Sequence, residues 1–272
     1  MTGRRPITYA GTELTRRHFL AGLSAATLAG VGLARWTIGG SPRIAQAATA
    51  PEAPPVVANR MPLPGGGALS SIPGDGDLLA LTLDDGVNTD VVRAYTQFAK
   101  DTGVRLTYFV NGRYASWADN RDLLRPLVES GQIQLGNHTW SHPDLATLPK
   151  DQVAEQLRHN HQFLLRNYGV DARPYFRPPY GSHNPVVDAV AAELGYFVPT
   201  MWSGSLEDQN IIPEDEIVKM ANKYFNPQAI VIGHLNHVPV THVYDQLVDV
   251  IRSRNLRTVT LNDVFAKPEQ QA

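Results

Sequence analysis

The chain has 272 residues, of which 43% are hydrophobic, so it can bury one substantial core. Its formal net charge is -2, which excludes the strongly basic surface that binding to nucleic-acid phosphates requires. Because there are no cysteines, disulfides, thiolate nucleophiles and cysteine-based metal sites are excluded, and any bound metal must use His, Asp or Glu.

The first 47 residues are predicted to be an export signal. Arg16 and Arg17 stand directly before an apolar stretch at 21–34, and Ala45, Gln46 and Ala47 form a small-residue cleavage site. This order resembles a twin-arginine signal, and the stretch is shorter than the ~20 residues of a permanent membrane anchor. We therefore expect the twin-arginine export machinery as a partner and a mature protein in the periplasm, the cell wall or outside the cell. The alternative is a basic tail followed by a short helix.

Residues 48–74 are predicted to be a linker. Prolines within 51–55 and consecutive glycines at 65–67 are typical of chain without regular structure. A single folded domain is then expected over residues 75–268.

From residue 78 onward, short apolar runs alternate with longer amphipathic ones, which predicts an α/β fold. The predicted strands cover residues 78–83, 106–110, 133–135, 175–176, 197–201, 229–232 and 258–261. The predicted helices cover residues 91–102, 121–130, 150–167, 185–194, 214–221 and 243–254. This pattern corresponds to about seven β/α units.

Chemically versatile polar residues follow the ends of separate predicted strands. Asp84 and Asp85 follow the first strand, His138 and His142 the third, Arg177 the fourth, Asp208 the fifth and His234 the sixth. In a parallel barrel, such strand ends open on one rim, where active sites are built. A doubly wound sheet would gather them only near its switch point. The barrel accounts for all of them, so we expect these residues to meet.

Asp85, His138 and His142 resemble part of a metal coordination shell. The two histidines are four residues apart, which on a helical turn puts both rings on one face and in a loop keeps them within reach of one ion. Two imidazoles and one carboxylate leave open positions for water and substrate, as in catalytic zinc sites. Two histidines in a polar loop are also common without a metal, and Asp-Asp-Gly is a common turn after a strand.

The motifs occur in an order that resembles a known family. Leu-Thr-Leu-Asp-Asp-Gly at 81–86 is followed by the histidine pair, by Arg-Pro-Pro-Tyr-Gly at 177–181 and by Ile-Gly-His at 232–234. This set is similar to the polysaccharide deacetylase family, also called the NodB homology domain or carbohydrate esterase family 4. The resemblance extends from Leu78 to Phe265, which is nearly the whole predicted domain.

The resemblance implies a distorted (β/α) barrel with about seven parallel strands. It also implies a divalent metal, zinc or alternatively cobalt or another ion, and hydrolysis of N- or O-acetyl groups on a sugar polymer. Asp85, His138 and His142 would be the metal ligands, and Asp84 would be the general base. Arg177 would orient Asp84 and keep it ionised, because a guanidinium nearby favours a charged carboxylate.

Three further roles follow from the same resemblance. The backbone N–H of Tyr180 would help to bind the oxyanion, and His234 would be the general acid. Asp208 is the candidate partner of His234, because a nearby carboxylate raises the pKa of a histidine and keeps it protonated. A backbone donor to an oxyanion is typically worth a few kcal/mol in such sites.

The fourth motif departs from the family pattern. Ser205 replaces its first Asp and Gln209 replaces its Trp, while Asp208 remains. The missing Trp would ordinarily form one apolar wall of the substrate groove. Trp140 or Trp202 is an alternative aromatic platform for a sugar.

The leading hypothesis is an exported, metal-dependent deacetylase of a polysaccharide that contains N-acetylglucosamine, such as peptidoglycan or chitin-type glycans. Acetylated xylan stays open as a substrate. The first alternative is a carbohydrate-binding protein on the same fold without turnover. The second is a metal hydrolase of small amides, for which we expect a closed pocket in place of an open groove.

Overall fold

The computed structural model describes residues 60–266. The predicted export signal at 1–47, the first part of the predicted linker and the last two residues of the predicted domain lie outside these residues.

A parallel sheet is built around the first strand, β1, which spans Leu78–Asp85 and is buried over its whole length. Strands of parallel sheets are covered on both faces, which explains the continuous apolar sequence of β1. The other strands are β2 (Leu106–Val110), β3 (Ile133–Asn137), β4 (Tyr175–Phe176), β5 (Val198–Pro199), β6 (Gly204–Ser205), β7 (Ala229–His234) and β8 (Arg257–Thr258). They run in the order β5-β4-β3-β2-β1-β7-β6, and β8 pairs with the start of β1.

Helices follow most of the strands and cover the outside of the sheet. They are α1 (Thr89–Thr102), α2 (Ser116–Asp119), α3 (Arg121–Glu129), α4 (Lys150–Tyr168), α5 (Pro185–Glu193), α6 (Glu214–Tyr224), α7 (Tyr244–Ser253) and α8 (Leu261–Val264). This confirms the predicted distorted (β/α) barrel with seven strands along the main path of the sheet. Within residues 60–266, no helix is long and apolar enough to cross a membrane.

The predicted last strand, at 258–261, is wrong after its first residue. The strand ends at Thr258, and Leu261 already begins helix α8. Thr260 accepts a hydrogen bond from the Asp263 N–H, and the Asp263 side chain accepts one from the Thr260 N–H. This capping box starts a helix where the apolar sequence alone suggests a strand.

The alternation of side chains along β1 divides the core into two clusters. Leu79, Leu81 and Leu83 pack in the cluster shared with the helices. Leu78 and Ala80 point to the opposite face, into a second cluster with residues from other strands. This period of two brings the Asp84 side chain to the same face as Leu78 and Ala80, at the end of the strand.

The described end of the predicted linker, residues 60–74, packs against the barrel. Leu69 exchanges backbone hydrogen bonds with Pro199 and Met201, and the Ile72 N–H donates to Gln228. Leu69 and Ile72 are only 4% and 2% exposed. The segment therefore connects the β5 end of the open sheet to the start of β7. The proline and glycine content of the segment suggests a linker. Only two apolar side chains, Leu69 and Ile72, pack into the gap between the two ends of the sheet, and two residues make no recognisable pattern in the sequence.

Replacing Ile72 by Ala should destabilise the domain by about 2–5 kcal/mol, because a buried aliphatic side chain would leave a cavity. Urea unfolding followed by fluorescence measures this change. Leu165→Ala is the matched control, since Leu165 is 37% exposed on α4 and should change stability by at most about 0.5 kcal/mol. Equal stability of Ile72→Ala and the wild type would show that the segment is a linker.

Candidate metal centre and catalytic cleft

The two adjacent carboxylates at the end of β1 have different main partners, and Oδ2 of Asp84 also lies 3.5 Å from Nε2 of His138. Asp84 continues the extended strand, and its Oδ1 lies 2.7 Å from Nη1 of Arg177. Asp85 has a left-handed backbone with φ of 74°, which turns its side chain towards His138 and His142. Gly86 must be glycine in this turn, because a Cβ there would overlap the ring of Trp117.

Arg177 is fully buried directly after β4 and is held at several points. Its Nε donates to the Thr200 carbonyl at 2.9 Å, and its Nη2 donates to the Met201 carbonyl at 3.1 Å. Its guanidinium also lies 4.2 Å from the ring centroid of Phe109. Each of the three guanidinium nitrogens thus makes a hydrogen bond, one to Asp84 and two to backbone carbonyls, so the guanidinium is held in one orientation.

The histidine pair lies in a loop after β3 and not on a helix. Thr139 and His142 have left-handed backbones, with φ of 72° and 60°. The loop is held by buried amides: Asn111 donates to the His138 and Thr139 carbonyls, and the Thr139 N–H donates to Asn137 Oδ1. The two rings lie close together, with their centroids 4.9 Å apart.

Asp85, His138 and His142 fit a divalent metal ion. Their ligand atoms lie within 4.8 Å of one another. Asp85 Oδ1 is 3.4 Å from His138 Nε2 and 3.3 Å from His142 Nε2, yet it is buried without a hydrogen-bond partner. His138 Nδ1 donates to the Arg177 carbonyl at 2.7 Å, which leaves Nε2 to face the other two ligands. One carboxylate and two imidazoles are a donor set that suits a divalent metal ion and leaves coordination positions open.

Electrostatics keep Asp85 ready to bind a cation. Burial by itself raises the pKa of the Asp85 carboxyl, but the nearby imidazoles of His138 and His142 hold that pKa below its usual value. The carboxylate is therefore ionised at neutral pH, as a metal ligand must be.

His234 and Asp208 form a second polar pair on the same rim. His234 ends β7, and its Nδ1 donates to Asp208 Oδ1 at 3.0 Å. The His234 backbone N–H also donates to Asp208 Oδ2 at 3.2 Å. Burial lowers the pKa of His234, but the hydrogen bond and charge of Asp208 outweigh it, so the pKa is raised above its ordinary value. The contact expected between these two residues is present.

Tyr180 lies in a short turn with a left-handed backbone, φ of 60°. Its ring is 72% exposed and lies edge-on to His142, with centroids 4.6 Å apart. Its backbone N–H has no acceptor among residues 60–266, whereas the following N–H of Gly181 donates to the Pro178 carbonyl. Tyr180 therefore has a free backbone donor, and its ring contacts the candidate ligand His142.

These groups meet in one cleft of about 460 Å³. It is lined by Asp84, Asp85, His138, His142, Pro178, Tyr180, Gly181, Trp202, Ser205, Glu207, Gln209, Asn210, Ile232, His234 and Asn236. Arg177 and Asp208 lie behind Asp84 and His234 as their partners. Every residue predicted for the site is therefore in the cleft or in contact with a residue that lines it.

The altered fourth motif forms one wall of the cleft. The Ser205 hydroxyl accepts a hydrogen bond from the Glu207 N–H at 2.9 Å, which holds the turn that carries Asp208. Trp202 lines the cleft, whereas Trp140 stacks on His159, with ring centroids 3.8 Å apart, and is not among the lining residues. Of the two candidate aromatic platforms, Trp202 is the one in the cleft.

Asn236 is a site residue that the sequence did not reveal. Its Nδ2 donates to Asp85 Oδ2 at 2.6 Å, across 151 residues of sequence. The asparagines that hold the histidine loop, Asn111 and Asn137, were also not predicted. The sequence shows only that Asn236 is a polar residue near the end of a strand. Such a residue can equally contact Asp85 or solvent, so its role could not be predicted.

Known proteins are similar to this chain. Residues 71–199 match the profile of a family described as polysaccharide deacetylase. A chitin deacetylase of Colletotrichum lindemuthianum is 30% identical over 200 residues, which is 68% of this chain and 78% of that protein. A peptidoglycan-N-acetylglucosamine deacetylase of Bacillus cereus is 26% identical over 199 residues, which is 71% of this chain and 70% of that protein.

The fold is also shared with solved structures. The structure of the chitin deacetylase from the fungal pathogen Colletotrichum lindemuthianum superposes with a TM-score of 0.68 at 27% identity. The match covers 77% of this chain and 96% of that chain.

Replacing His142 by Ala should weaken zinc binding by more than about 100-fold, because a direct ligand matters more than the groups behind it. Competition with a chromophoric chelator measures the affinity. His159→Ala is the matched control, since His159 is an exposed histidine on α4 that stacks on Trp140 outside the cleft. Equal zinc affinity of the two variants would remove His142 from the metal site.

Proposed function

Because the chain belongs to the polysaccharide deacetylase family and is a hydrolase of carbohydrate N-acetyl amide bonds, we propose that it is an exported, metal-dependent enzyme acting on a glycan that contains N-acetylglucosamine. The glycan is peptidoglycan or a chitin-type polymer. Relatives named as peptidoglycan-N-acetylglucosamine and chitin deacetylases support this substrate class.

The observation that carries the proposal is the arrangement of three functional groups in one cleft. An open Asp-His-His ligand set lines the same cleft as a carboxylate paired with arginine and a histidine paired with aspartate. A proton acceptor and a proton donor in the same cleft as a metal site are what amide hydrolysis needs. A binding protein would not require either group, so the arrangement favours an enzyme.

A divalent ion held by Asp85, His138 and His142 would lower the pKa of water and polarise the acetyl carbonyl oxygen. Asp84 takes a proton from the attacking water as the water oxygen adds to the acetyl carbon. Arg177 holds the Asp84 carboxylate in place through the 2.7 Å contact. Because the Asp84 carboxylate is held in place, no energy is spent on reorienting it before it accepts the proton from water.

The second half of the reaction breaks the carbon–nitrogen bond. The Tyr180 N–H donates to the oxyanion that forms on the acetyl carbonyl oxygen. His234 then gives its proton to the leaving nitrogen, so the products are acetate and a free amine on the sugar. Asp208 keeps His234 protonated until that step, in keeping with the raised pKa.

The shape of the cleft supports a polymer substrate. Tyr180, Glu207, Gln209 and Asn210 line it and are exposed to solvent, so a long chain can reach the metal site from outside. Trp202 supplies an apolar wall where the family Trp is missing. A small amide would be better enclosed by a closed pocket than by this cleft.

Export is supported by the sequence alone. The paired Arg16 and Arg17, the apolar stretch and the small-residue site at 45–47 occur in the order of a twin-arginine signal. Such export carries folded proteins, which fits a metal site assembled from distant parts of the chain.

Purified enzyme should release acetate from peptidoglycan or chitin oligomers, lose this activity on chelation and regain it with zinc. Asp84→Asn should bind zinc normally but be slower by about 10²–10⁴-fold, because an amide cannot accept the proton. Acetate assays and chelator competition measure the two effects. Activity that survives complete removal of metal would overturn the mechanism, and acetate from acetylated xylan alone would overturn the substrate class.

Asp208→Asn should shift the alkaline limb of the kcat–pH profile towards lower pH. The general acid works only while protonated, and Asp208 raises the pKa of His234, so its removal makes His234 lose the proton at lower pH. Asp188→Asn is the matched control, because Asp188 pairs with His183 at 2.9 Å and neither residue lines the cleft. An alkaline limb that stays in place in Asp208→Asn would separate Asp208 from the acid step.

A further inference from the structure

Asn236 lies in the loop after β7, with its side-chain amide clamped at both ends. Its Nδ2 donates to Asp85 Oδ2 at 2.6 Å, and its Oδ1 accepts from the Val87 N–H at 3.3 Å. A carboxylate can only accept and a backbone N–H can only donate, so this pair of contacts allows one orientation of the amide. The NH₂ group of Asn236 must face Asp85.

The hydrogen bond from Asn236 places the two oxygens of Asp85 in different environments. Oδ2 is occupied by Asn236, whereas Oδ1 is buried without a hydrogen-bond partner and lies 3.3 Å from His142 Nε2 and 3.4 Å from His138 Nε2. A carboxylate held at one oxygen cannot rotate the other away from the two imidazoles. Only Oδ1 is presented to the position that an ion would take.

The backbone of Asp85 is held as firmly as its side chain. Its carbonyl accepts hydrogen bonds from the Asn111 N–H and from Trp117 Nε1, both at 3.2 Å. These contacts keep Asp85 in its left-handed conformation, a sparsely populated state for a residue with a Cβ. Backbone and side chain together fix the direction of Oδ1.

The partners of the two neighbouring aspartates differ in charge. Asp84 is paired with the guanidinium of Arg177, whereas Asp85 is paired with the neutral amide of Asn236. A cation beside a carboxylate opposes the approach of a metal ion, but a neutral donor orients the carboxylate and leaves its charge available. The partners therefore favour Asp85 as the ligand and Asp84 as the base.

We propose that Asn236 is a positioning residue of the metal site. Its uncharged hydrogen bond to Asp85 leaves a single carboxylate oxygen for the ion, and this sets the affinity of the site for metal. The inference rests on the metal site in the proposed function and deepens it. Asn236 acts through Asp85 and takes no part in proton transfer.

The test measures zinc affinity of the metal-free full chain by competition with a chromophoric chelator, and the absorption spectrum with cobalt in place of zinc. Asn236→Ala should bind zinc about 10- to 100-fold more weakly, and the cobalt bands should change in intensity because the ligand geometry relaxes. Asn210→Ala is the matched control: Asn210 lines the same cleft and makes no hydrogen bond to a metal ligand among residues 60–266. Its zinc affinity should equal that of the wild type.

Asn236→Leu keeps the branched shape of the side chain and its number of heavy atoms but removes the donor, so it serves as the second variant if Asn236→Ala fails to fold. Equal zinc affinity in the wild type and in a folded Asn236 variant would overturn the inference and leave the proposed function standing. A wild-type chain that binds no zinc or cobalt would overturn both.

Discussion

The buried contact between Arg177 and Asp84 is the interaction on which the site depends. The guanidinium of Arg177 holds the carboxylate of Asp84, the proposed base, while the Arg177 carbonyl accepts from His138 Nδ1 and so turns the other ring nitrogen towards the proposed metal position. One residue thus aligns the proposed base and a candidate ligand. Removing one partner of a buried ion pair typically costs about 3–5 kcal/mol, because the remaining charge stays buried without compensation. Stability and the proposed catalysis are therefore linked at Arg177.

Backbone strain is concentrated on the rim around this contact. Left-handed backbones occur at or after the ends of four of the strands, at Asp85, Thr139, His142, Tyr180 and Glu207. Such conformations cost of order 1–3 kcal/mol each for residues with a Cβ, so the surrounding structure must hold them in place. Buried asparagines and the tight strand pairing of β1 do this. A left-handed residue points its side chain in a different direction from its neighbour, as Asp85 does beside Asp84.

Much of the fold could be predicted because periodicity is a local property. The strand at 106–110 and the strand at 175–176 have the predicted bounds, and most predicted helices agree to within two or three residues at each end. The errors have both local and long-range causes. Strand β6 consists of Gly204 and Ser205, so no apolar run marks it, unlike the equally short β4. Leu69 and Ile72 lie among prolines and glycines, and their burial depends on the gap between the sheet ends, which forms only when the barrel does.

The sequence by itself determined the residue types available for chemistry and their order along the chain, since a strand end is recognisable from local pattern. It therefore sufficed for the family, the barrel and the candidate ligands. Only the tertiary structure decided which carboxylate oxygen stays free and which partner each aspartate has. Contacts such as Asn236 with Asp85 join positions 151 residues apart. No local pattern encodes them, because they arise from parallel strand ends converging on one rim.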